Sequence, residues 1–235
     1  METEFSRLKL MIGDEGLSVL KKSKVLVFGV GGVGGYAVEA LARSGVGQID
    51  IVDNDTVSIS NINRQIIALH STMGKPKVQV CRERILDINP ECKVNAFKTF
   101  FLPENSFQFD FSSYDYVIDC IDTISAKVQI ALMAQNSNTR VISSMGAGNK
   151  LNPLEFEVTD IYKTSVCPLA RVMRGLLKKA GVKKLKVVYS KEKPFKGQAI
   201  DGKRVPASCA FVPSVAGLII ASEVVKDFLY SDDIC

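Results

Sequence analysis

Glycines in a G-x-G-x-x-G pattern directly follow a short apolar segment near the start of the chain. Gly29, Gly31 and Gly34 form the pattern, and Gly32 adds backbone freedom. Because glycine has no Cβ atom, backbone N–H groups in such a loop approach phosphate oxygens closely. The pattern therefore predicts a nucleotide-phosphate loop, but proteins that bind nicotinamide, flavin, methyl-donor and ATP ligands all use it.

Polar and basic residues after the second predicted strand narrow the choice of nucleotide. Asp53 ends that strand, roughly 20 residues after the loop, where a carboxylate accepts hydrogen bonds from ribose hydroxyls. Arg64 offers a planar fork to phosphate oxygens and Lys77 a point charge, which together stabilise charge on a leaving pyrophosphate. Each alone would be interpreted as solvated surface, but their grouping favours ATP over a nicotinamide. The same stretch contains Asp55, Asn61, Gln65 and Lys75.

Two carboxylates in the sequence Asp-Cys-Ile-Asp end a later predicted strand. Asp122 is placed to hold Mg²⁺ on a triphosphate, because hard oxygen ligands suit that ion. Asp119 is expected to cap the next helix or brace the loop. Cys120 between them is interpreted as a small apolar residue at the strand end.

Alternating strands and helices must position these residues. Strands are predicted at 24–29, 48–53, 94–99, 116–119 and 140–144, with helices after the glycine loop and at 75–88 and 125–137. Beyond Gly148 the prediction is a strand at 154–159, a helix at 169–180, a strand at 185–189, a mobile loop at 190–208 and a final helix at 214–229.

This order predicts an α/β fold: a doubly wound, Rossmann-like, mostly parallel sheet with a C-terminal extension of strands, a basic crossover loop and a final helix. We expect one domain, 1–235, with a nucleotide-binding half at 1–150 and a substrate or crossover half at 151–235. The hydrophobic content of 46% suits such a globular chain.

The formal net charge of +5 comes from one basic stretch, residues 171–204, with twelve Lys and Arg against two acidic residues. Such a cluster indicates a polyanionic partner or a solvated helix face, and charge alone leaves both open. Because the residues that suit ATP lie elsewhere, this cluster is free for a different anion, such as a nucleic-acid backbone. The expected contacts are Arg171, Arg174, Lys178, Lys179, Lys183 and Lys184.

Targeting signals and zinc pairs are missing from the sequence. The first ten residues lack an apolar signal core, and the longest uncharged run, 205–222, is interrupted by Pro206 and Pro213. None of the six cysteines forms a Cys-x-x-Cys pair, which excludes a zinc site of the usual paired spacing. We expect a cytoplasmic protein with reduced thiols and no membrane partner.

The first half resembles the adenylating superfamily that includes the ubiquitin-activating enzymes and the bacterial activators of ubiquitin-like sulfur carriers. The motifs that carry the resemblance are FSR at 5–7, GVGGVG at 29–34, DNDTVSISNINRQ at 53–65, GKPKV at 74–78 and DCID at 119–122. The resemblance implies that Asp53 binds ribose and that Asp122 serves the metal. Asn61, Arg64 and Lys77 would contact phosphates. Arg7 would reach into a neighbouring subunit's site, which implies a homodimer.

The second half is similar to a family that cyclises threonylcarbamoyladenosine next to the tRNA anticodon. The matching segments lie at 143–153, 160–182, 187–194 and 208–229. This resemblance implies an ATP-dependent dehydratase that adenylates the substrate carboxylate and releases AMP and pyrophosphate, acting on tRNA. The alternatives are an activator of a ubiquitin-like sulfur carrier, which usually carries two zinc-binding cysteine pairs, and a plain nucleotide-binding or NAD-dependent protein.

Three features of the sequence are not settled by the resemblance. Cys167 stands where that family more often has an acidic residue, and the sequence identifies no base or cation to activate its thiol. A sulfur-relay partner at Cys167 or Cys235, and a monovalent cation, are left open. His70, the only histidine, is expected to be structural rather than a general base.

Overall fold

A seven-stranded sheet forms the centre of the computed structural model, which describes residues 2–196, 199, 200, 203, 204 and 206–230. Its strands are β1 Lys24–Phe28, β2 Gln48–Val52, β3 Ala96–Phe97, β4 Tyr116–Asp119, β5 Arg140–Ser144, β6 Phe156–Asp160 and β7 Lys186–Ser190. The order is β3-β2-β1-β4-β5-β7-β6, and only the β6–β7 pair is antiparallel. The mostly parallel, doubly wound fold is confirmed.

Helices cover both faces of the sheet. They are α1 Ser6–Lys22, α2 Gly34–Arg43, α3 Lys77–Ile88, α4 Ile124–Ser137, α5 Pro168–Lys179 and α6 Phe211–Leu229. One core joins α2, α3 and α6 to the central strands, while α4 and α5 pack on the other face. At Gly217, α6 approaches α2 so closely that a Cβ atom would lie 2.2 Å from the carbonyl oxygen of Val33. Among the described helices, none is long and apolar enough to cross a membrane.

Three elements of the structure differ from the prediction. Helix α1 was not predicted, and Gly13 with φ +71° interrupts it, which weakens its periodicity in the sequence. Strand β3 has two residues instead of the six predicted at 94–99. The segment 190–208, predicted as a mobile loop, contains the short hairpin of β8 Ala199–Ile200 and β9 Lys203–Arg204; residues 197, 198, 201, 202 and 205 lie outside the described residues.

Candidate functional site

A cavity of about 580 Å³ opens at the carboxyl ends of β1, β2 and β4. Strand order reverses between β1 and β4, and open α/β sheets bind ligands at such a point. Nearly all residues predicted to bind nucleotide come together in its wall: Gly29, Gly31, Gly32, Asp53, Asp55, Asn61, Arg64, Lys77 and Asp122. Gly34 and Arg7 are the two that do not line it.

Gly34 packs the loop instead of contacting the cavity. It is the first residue of α2, and a Cβ atom there would lie 1.8 Å from the carbonyl oxygen of Gly29. Gly29 itself has φ +84° and would place a Cβ atom 2.9 Å from the oxygen of Cys120. The glycines therefore serve two purposes, because Gly34 brings helix and loop together whereas Gly31 and Gly32 line the cavity.

Asp53 connects two loops at the end of β2. Its Oδ2 accepts a hydrogen bond from the backbone N–H of Val30 at 2.9 Å, and its Oδ1 accepts one from Asp55 at 2.9 Å. Each carboxylate oxygen keeps a second lone pair, so the group remains able to accept hydrogen bonds from ribose hydroxyls. The predicted position of Asp53 is thus matched by a fixed orientation.

The two predicted cations meet the cavity in different ways. Lys77, in the first turn of α3, is only 5% exposed and its Nζ lies 2.7 Å from Oδ2 of Asp55. The Nη1 of Arg64 donates to the carbonyl oxygen of Ser60 at 2.7 Å and to Oδ1 of Asn63 at 3.0 Å. Those bonds hold the guanidinium by one nitrogen, which leaves Nε and Nη2 to serve an anionic ligand.

Gln65 was named in the sequence stretch but not proposed as a site residue. It is 6% exposed and lines the cavity, and its Oε1 is a buried atom without a hydrogen-bond partner among the described residues. Leaving such an atom unpaired costs free energy, which a polar ligand would recover. This orphaned oxygen is consistent with a ligand rich in hydrogen-bonding groups.

A buried ion pair that sequence reasoning missed supports the loop that carries Asp122. Lys127 is fully buried, and its Nζ contacts Oδ2 of Asp119 at 2.8 Å, the oxygen of Ile121 at 3.1 Å and that of Ser144 at 2.8 Å. Asp119 therefore does not cap α4, whose N-cap is Thr123. The sequence signal was a lysine on the apolar stripe of a predicted helix.

The structure places two of the remaining residues at this edge, Asp122 and Cys120, in the cavity wall. Asp122 is exposed and lines the cavity. Burial raises the pKa of the Cys120 thiol well above its usual range, so the group is neutral. No group of three or more His, Cys, Asp and Glu that would hold a metal by itself occurs in the described part of the chain. A single carboxylate beside triphosphate oxygens is nevertheless a typical Mg²⁺ environment, so the donor set fits.

The basic residues of the second half are mostly on the surface. Arg171, Lys178, Lys179, Lys183 and Lys184 are exposed, on α5 and just after it. Arg174 differs because its Nη1 donates to the side chain and carbonyl of Thr164 at 2.5 and 2.9 Å. The five exposed cations form what we call the α5 basic surface.

Arg7 and Cys167 lie apart from the cavity wall. Arg7 is exposed on α1. Cys167 is the buried N-cap residue of α5, and Lys150, also buried, interacts with it electrostatically. Burial lowers the pKa of the Lys150 ammonium. The structure thus places a lysine near Cys167, and burial disfavours the charged form of that lysine.

The chain is similar to known proteins over most of its length. The family model described as the ThiF family matches residues 5–232. The chain is 48% identical over 240 residues to the tRNA threonylcarbamoyladenosine dehydratase of Bacillus subtilis, covering 96% of this chain and 94% of that protein. Identity to the Haemophilus influenzae protein of the same name is 38% over 178 residues, covering 76% and 68%.

Solved structures give the same relationship. The crystal structure of Escherichia coli tRNA N6-threonylcarbamoyladenosine dehydratase in complex with AMP matches with a TM-score of 0.89 at 33% identity, covering 97% of this chain and 94% of that one. The same E. coli protein in complex with ATP matches with a TM-score of 0.89 at 32% identity, with the same coverage.

Proposed function

Because the chain belongs to the ThiF family, we propose that it is an ATP-dependent dehydratase that cyclises threonylcarbamoyladenosine in tRNA. The observation that carries the proposal is the 48% identity to the B. subtilis dehydratase over nearly the whole of both chains. The cavity supports it, because phosphate-loop glycines, a ribose-binding carboxylate and two cations line one wall. The proposal includes a single domain, 1–235, a cytoplasmic location and a tRNA partner.

The reaction begins with attack of the substrate carboxylate on the α-phosphate of ATP, which forms an acyl-adenylate and releases pyrophosphate. Asp53 orients the ribose, and Arg64 and Lys77 stabilise the negative charge that develops on the phosphates. Asp122 is the residue that would hold Mg²⁺, and the bound ion would supply neutralisation of phosphate charge. The orphaned Oε1 of Gln65 accepts a hydrogen bond from the bound substrates.

The second step closes the ring without a protein nucleophile. A nitrogen or oxygen of the same threonylcarbamoyl group attacks the acyl carbon, and the bond to AMP breaks. One carboxylate oxygen leaves in AMP, so the modified base loses the elements of water. Holding the activated acyl group next to an internal nucleophile lowers the activation barrier by up to roughly 7–11 kcal/mol through proximity.

The test of this function is an assay of nucleotide products. The purified chain with ATP should release AMP and pyrophosphate when tRNA carrying threonylcarbamoyladenosine is present, and should not with the same tRNA lacking the modification. Release of pyrophosphate with a ubiquitin-like carrier ending in Gly-Gly, and none with modified tRNA, would favour the carrier-activating alternative. The absence of Cys-x-x-Cys pairs already speaks against that alternative.

A homodimer with Arg7 in trans is a further part of the proposal. Arg7 lies on the surface of α1 and does not line the cavity of its own chain. Mixing Arg7→Ala chains with Lys77→Ala chains should therefore restore AMP release, because one site in each heterodimer keeps both residues. Purified heterodimers, tagged separately on the two chains, are the material to assay. Heterodimers as inactive as the two parent variants would argue against a trans arginine.

The α5 basic surface is proposed to contact the tRNA backbone. Reversing the charge at Lys178, Lys179, Lys183 and Lys184 should weaken tRNA binding and flatten its dependence on salt, because fewer counterions are released. The affinity for ATP should stay unchanged. Filter binding at a series of salt concentrations measures the affinity for tRNA and its dependence on salt.

A matched control exists among exposed lysines outside the α5 basic surface. Four exposed lysines lie near the amino ends of β1 and β2: Lys21, Lys22, Lys24 and Lys93. Reversing these changes the net charge equally but should leave the salt dependence near that of the wild type. Equal losses of tRNA affinity in both variants would mean that the α5 basic surface is only a solvated helix face.

The proposal also includes a monovalent cation and a sulfur-relay partner. Cys167 is buried and Cys235 lies outside the described residues, so a relay partner would require exposure of Cys167 or use of the C-terminus. Activity assays with Na⁺, K⁺ and large organic cations would test the ion requirement.

A further inference from the structure

The backbone of an exposed aromatic residue is hydrogen-bonded to a segment that borders the cavity, and the chemistry proposed above does not use its ring. Phe195 is 56% exposed, and its backbone N–H donates to the carbonyl oxygen of Asn149 at 2.7 Å. Asn149 directly follows Ala147 and Gly148, which line the cavity. The hydrogen bond therefore holds the backbone of Phe195 at the rim.

The segment around Phe195, residues 191–196, is anchored on one side by backbone and side-chain bonds. We call it the rim segment. The N–H of Lys191 donates to the oxygen of Glu155 at 2.9 Å. The carboxylate of Glu192 accepts from the N–H groups of Leu151 and Asn152, each at 2.9 Å. An aromatic side chain on such a segment is presented to solvent from a fixed backbone.

Asn149 also ties the rim segment to residues 206–208. Its N–H donates to the oxygen of Ala207 at 2.7 Å, and its Oδ1 accepts from the N–H of Ala207 at 2.7 Å. Ala207 lines the cavity together with Pro206 and Ser208. Asn149 therefore links the backbone of Phe195 to residues that line the cavity.

The charges of the rim segment favour an anionic partner. Lys193 and Lys196 are exposed on either side of Phe195, and neither forms an ion pair with a side chain that the structure describes. Lys191 is different, because it pairs with Glu157. The carboxylate of Glu192 is engaged by backbone N–H groups, so it does not offset the two lysines next to the ring.

An aromatic ring between two lysines is a combination that suits single-stranded RNA. Unstacked bases of loops stack on aromatic side chains, while lysines contact the neighbouring phosphates. In the proposed reaction a carboxylate on an anticodon-loop base must reach the α-phosphate inside the cavity. The base that carries it, or its neighbour, must then leave its stack and approach the cavity mouth.

We propose that Phe195 is a stacking platform for an unstacked base of the tRNA anticodon loop, with Lys193 and Lys196 contacting the adjacent phosphates. The inference rests on the proposed function, because that function supplies the RNA. The inference goes beyond the proposed function because it assigns a base contact separate from the α5 basic surface. That contact orients the substrate rather than only attracting it.

Replacing Phe195 with alanine and with tryptophan tests the platform. Phe195→Ala should lower kcat/KM for modified tRNA in AMP release by about tenfold or more, since stacking on an aromatic residue contributes that much per base. Phe195→Trp keeps a stacking surface and should stay near the wild type. The affinity for ATP alone should be unchanged in both variants.

Phe107 offers a matched control. It is 82% exposed and lies on a short helix at 103–108; neither ring lines the cavity, but among the described residues only the Phe195 backbone, and not that of Phe107, is hydrogen-bonded to Asn149 beside the cavity. Phe107→Ala should therefore keep the wild-type kcat/KM for tRNA. A Phe195→Ala enzyme with the kcat/KM of the Phe107→Ala control would overturn the inference while leaving the proposed function intact.

A binding measurement separates the inference from the activity. An anticodon stem-loop RNA with 2-aminopurine beside the modified nucleoside reports stacking through quenched fluorescence. The wild type and Phe195→Trp should quench it on binding, and Phe195→Ala should not. Equal quenching by Phe195→Ala would sink the stacking role even if the wild type releases no AMP, an outcome that would separately remove the proposed function.

Discussion

Lys77→Ala is expected to lower kcat for AMP release by about 10²–10³-fold while the protein stays folded. Removing a preorganised donor that stabilises transition-state charge has an effect of this size. Lys77 is suited to that task because it is buried in the cavity wall, where its charge is less screened than on the surface. Its partner Asp55 is 58% exposed, so water solvates that carboxylate in the variant and the fold loses little.

The neighbouring Lys75 provides the control for Lys77. Lys75 is exposed and does not line the cavity, so Lys75→Ala should retain wild-type kcat. Circular dichroism and thermal unfolding of both variants check that the fold is kept. A Lys77→Ala enzyme with kcat near that of Lys75→Ala would remove Lys77 from the phosphate site.

Lys127→Met is expected to destabilise the protein by about 3–5 kcal/mol, the second large effect. The substitution leaves the carboxylate of Asp119 without its cation in a site where Asp119 is 1% exposed. It also removes the hydrogen bonds that join Ile121 to Ser144, which tie the ends of β4 and β5 together. Urea unfolding of the unliganded protein measures the change in the free energy of unfolding.

Surface and double variants sharpen the test of Lys127. The exposed pair Lys9–Asp14 should contribute at most about 1 kcal/mol, so Lys9→Ala sets the scale of a surface ion pair. Adding Asp119→Leu to Lys127→Met should cost less than the sum of the single substitutions, because no charge is then left unpaired. A Lys127→Met protein as stable as Lys9→Ala would contradict the role of the buried pair.

The nucleotide half was predictable because its signals are local. A glycine loop between strand and helix, and an acidic residue at the end of the next strand, each depend on neighbouring residues. Gly34 shows the limit of this reading: the pattern grouped it with the other glycines, whereas its close approach to the oxygen of Gly29 makes it a packing residue. Which glycines face the ligand depends on the turn geometry, which the spacing does not fix.

Features that depend on distant segments were not predicted. Asp119 braces the loop, one of its two predicted roles, but its partners were not predicted: Lys127 lies one helical turn into α4, and Ser143, which donates to Asp119 at 2.5 Å, lies on β5. Helix α1 was missed because Gly13 breaks its pattern. The position of Phe195 depends on the bond to Asn149, which joins two loops far apart in sequence. These contacts appear only after the sheet brings the segments together.

An acyl-adenylate intermediate leaves one oxygen of the substrate carboxylate in AMP, so the fate of that oxygen tests the proposed adenylation. Modified tRNA with a heavy oxygen isotope in the threonylcarbamoyl carboxylate is incubated with the enzyme and ATP, and the AMP is analysed by mass spectrometry. Adenylation followed by ring closure predicts one heavy oxygen in the phosphate of AMP for each cyclised nucleoside. Cyclised tRNA accompanied by unlabelled AMP would contradict an acyl-adenylate and the function proposed for this cavity.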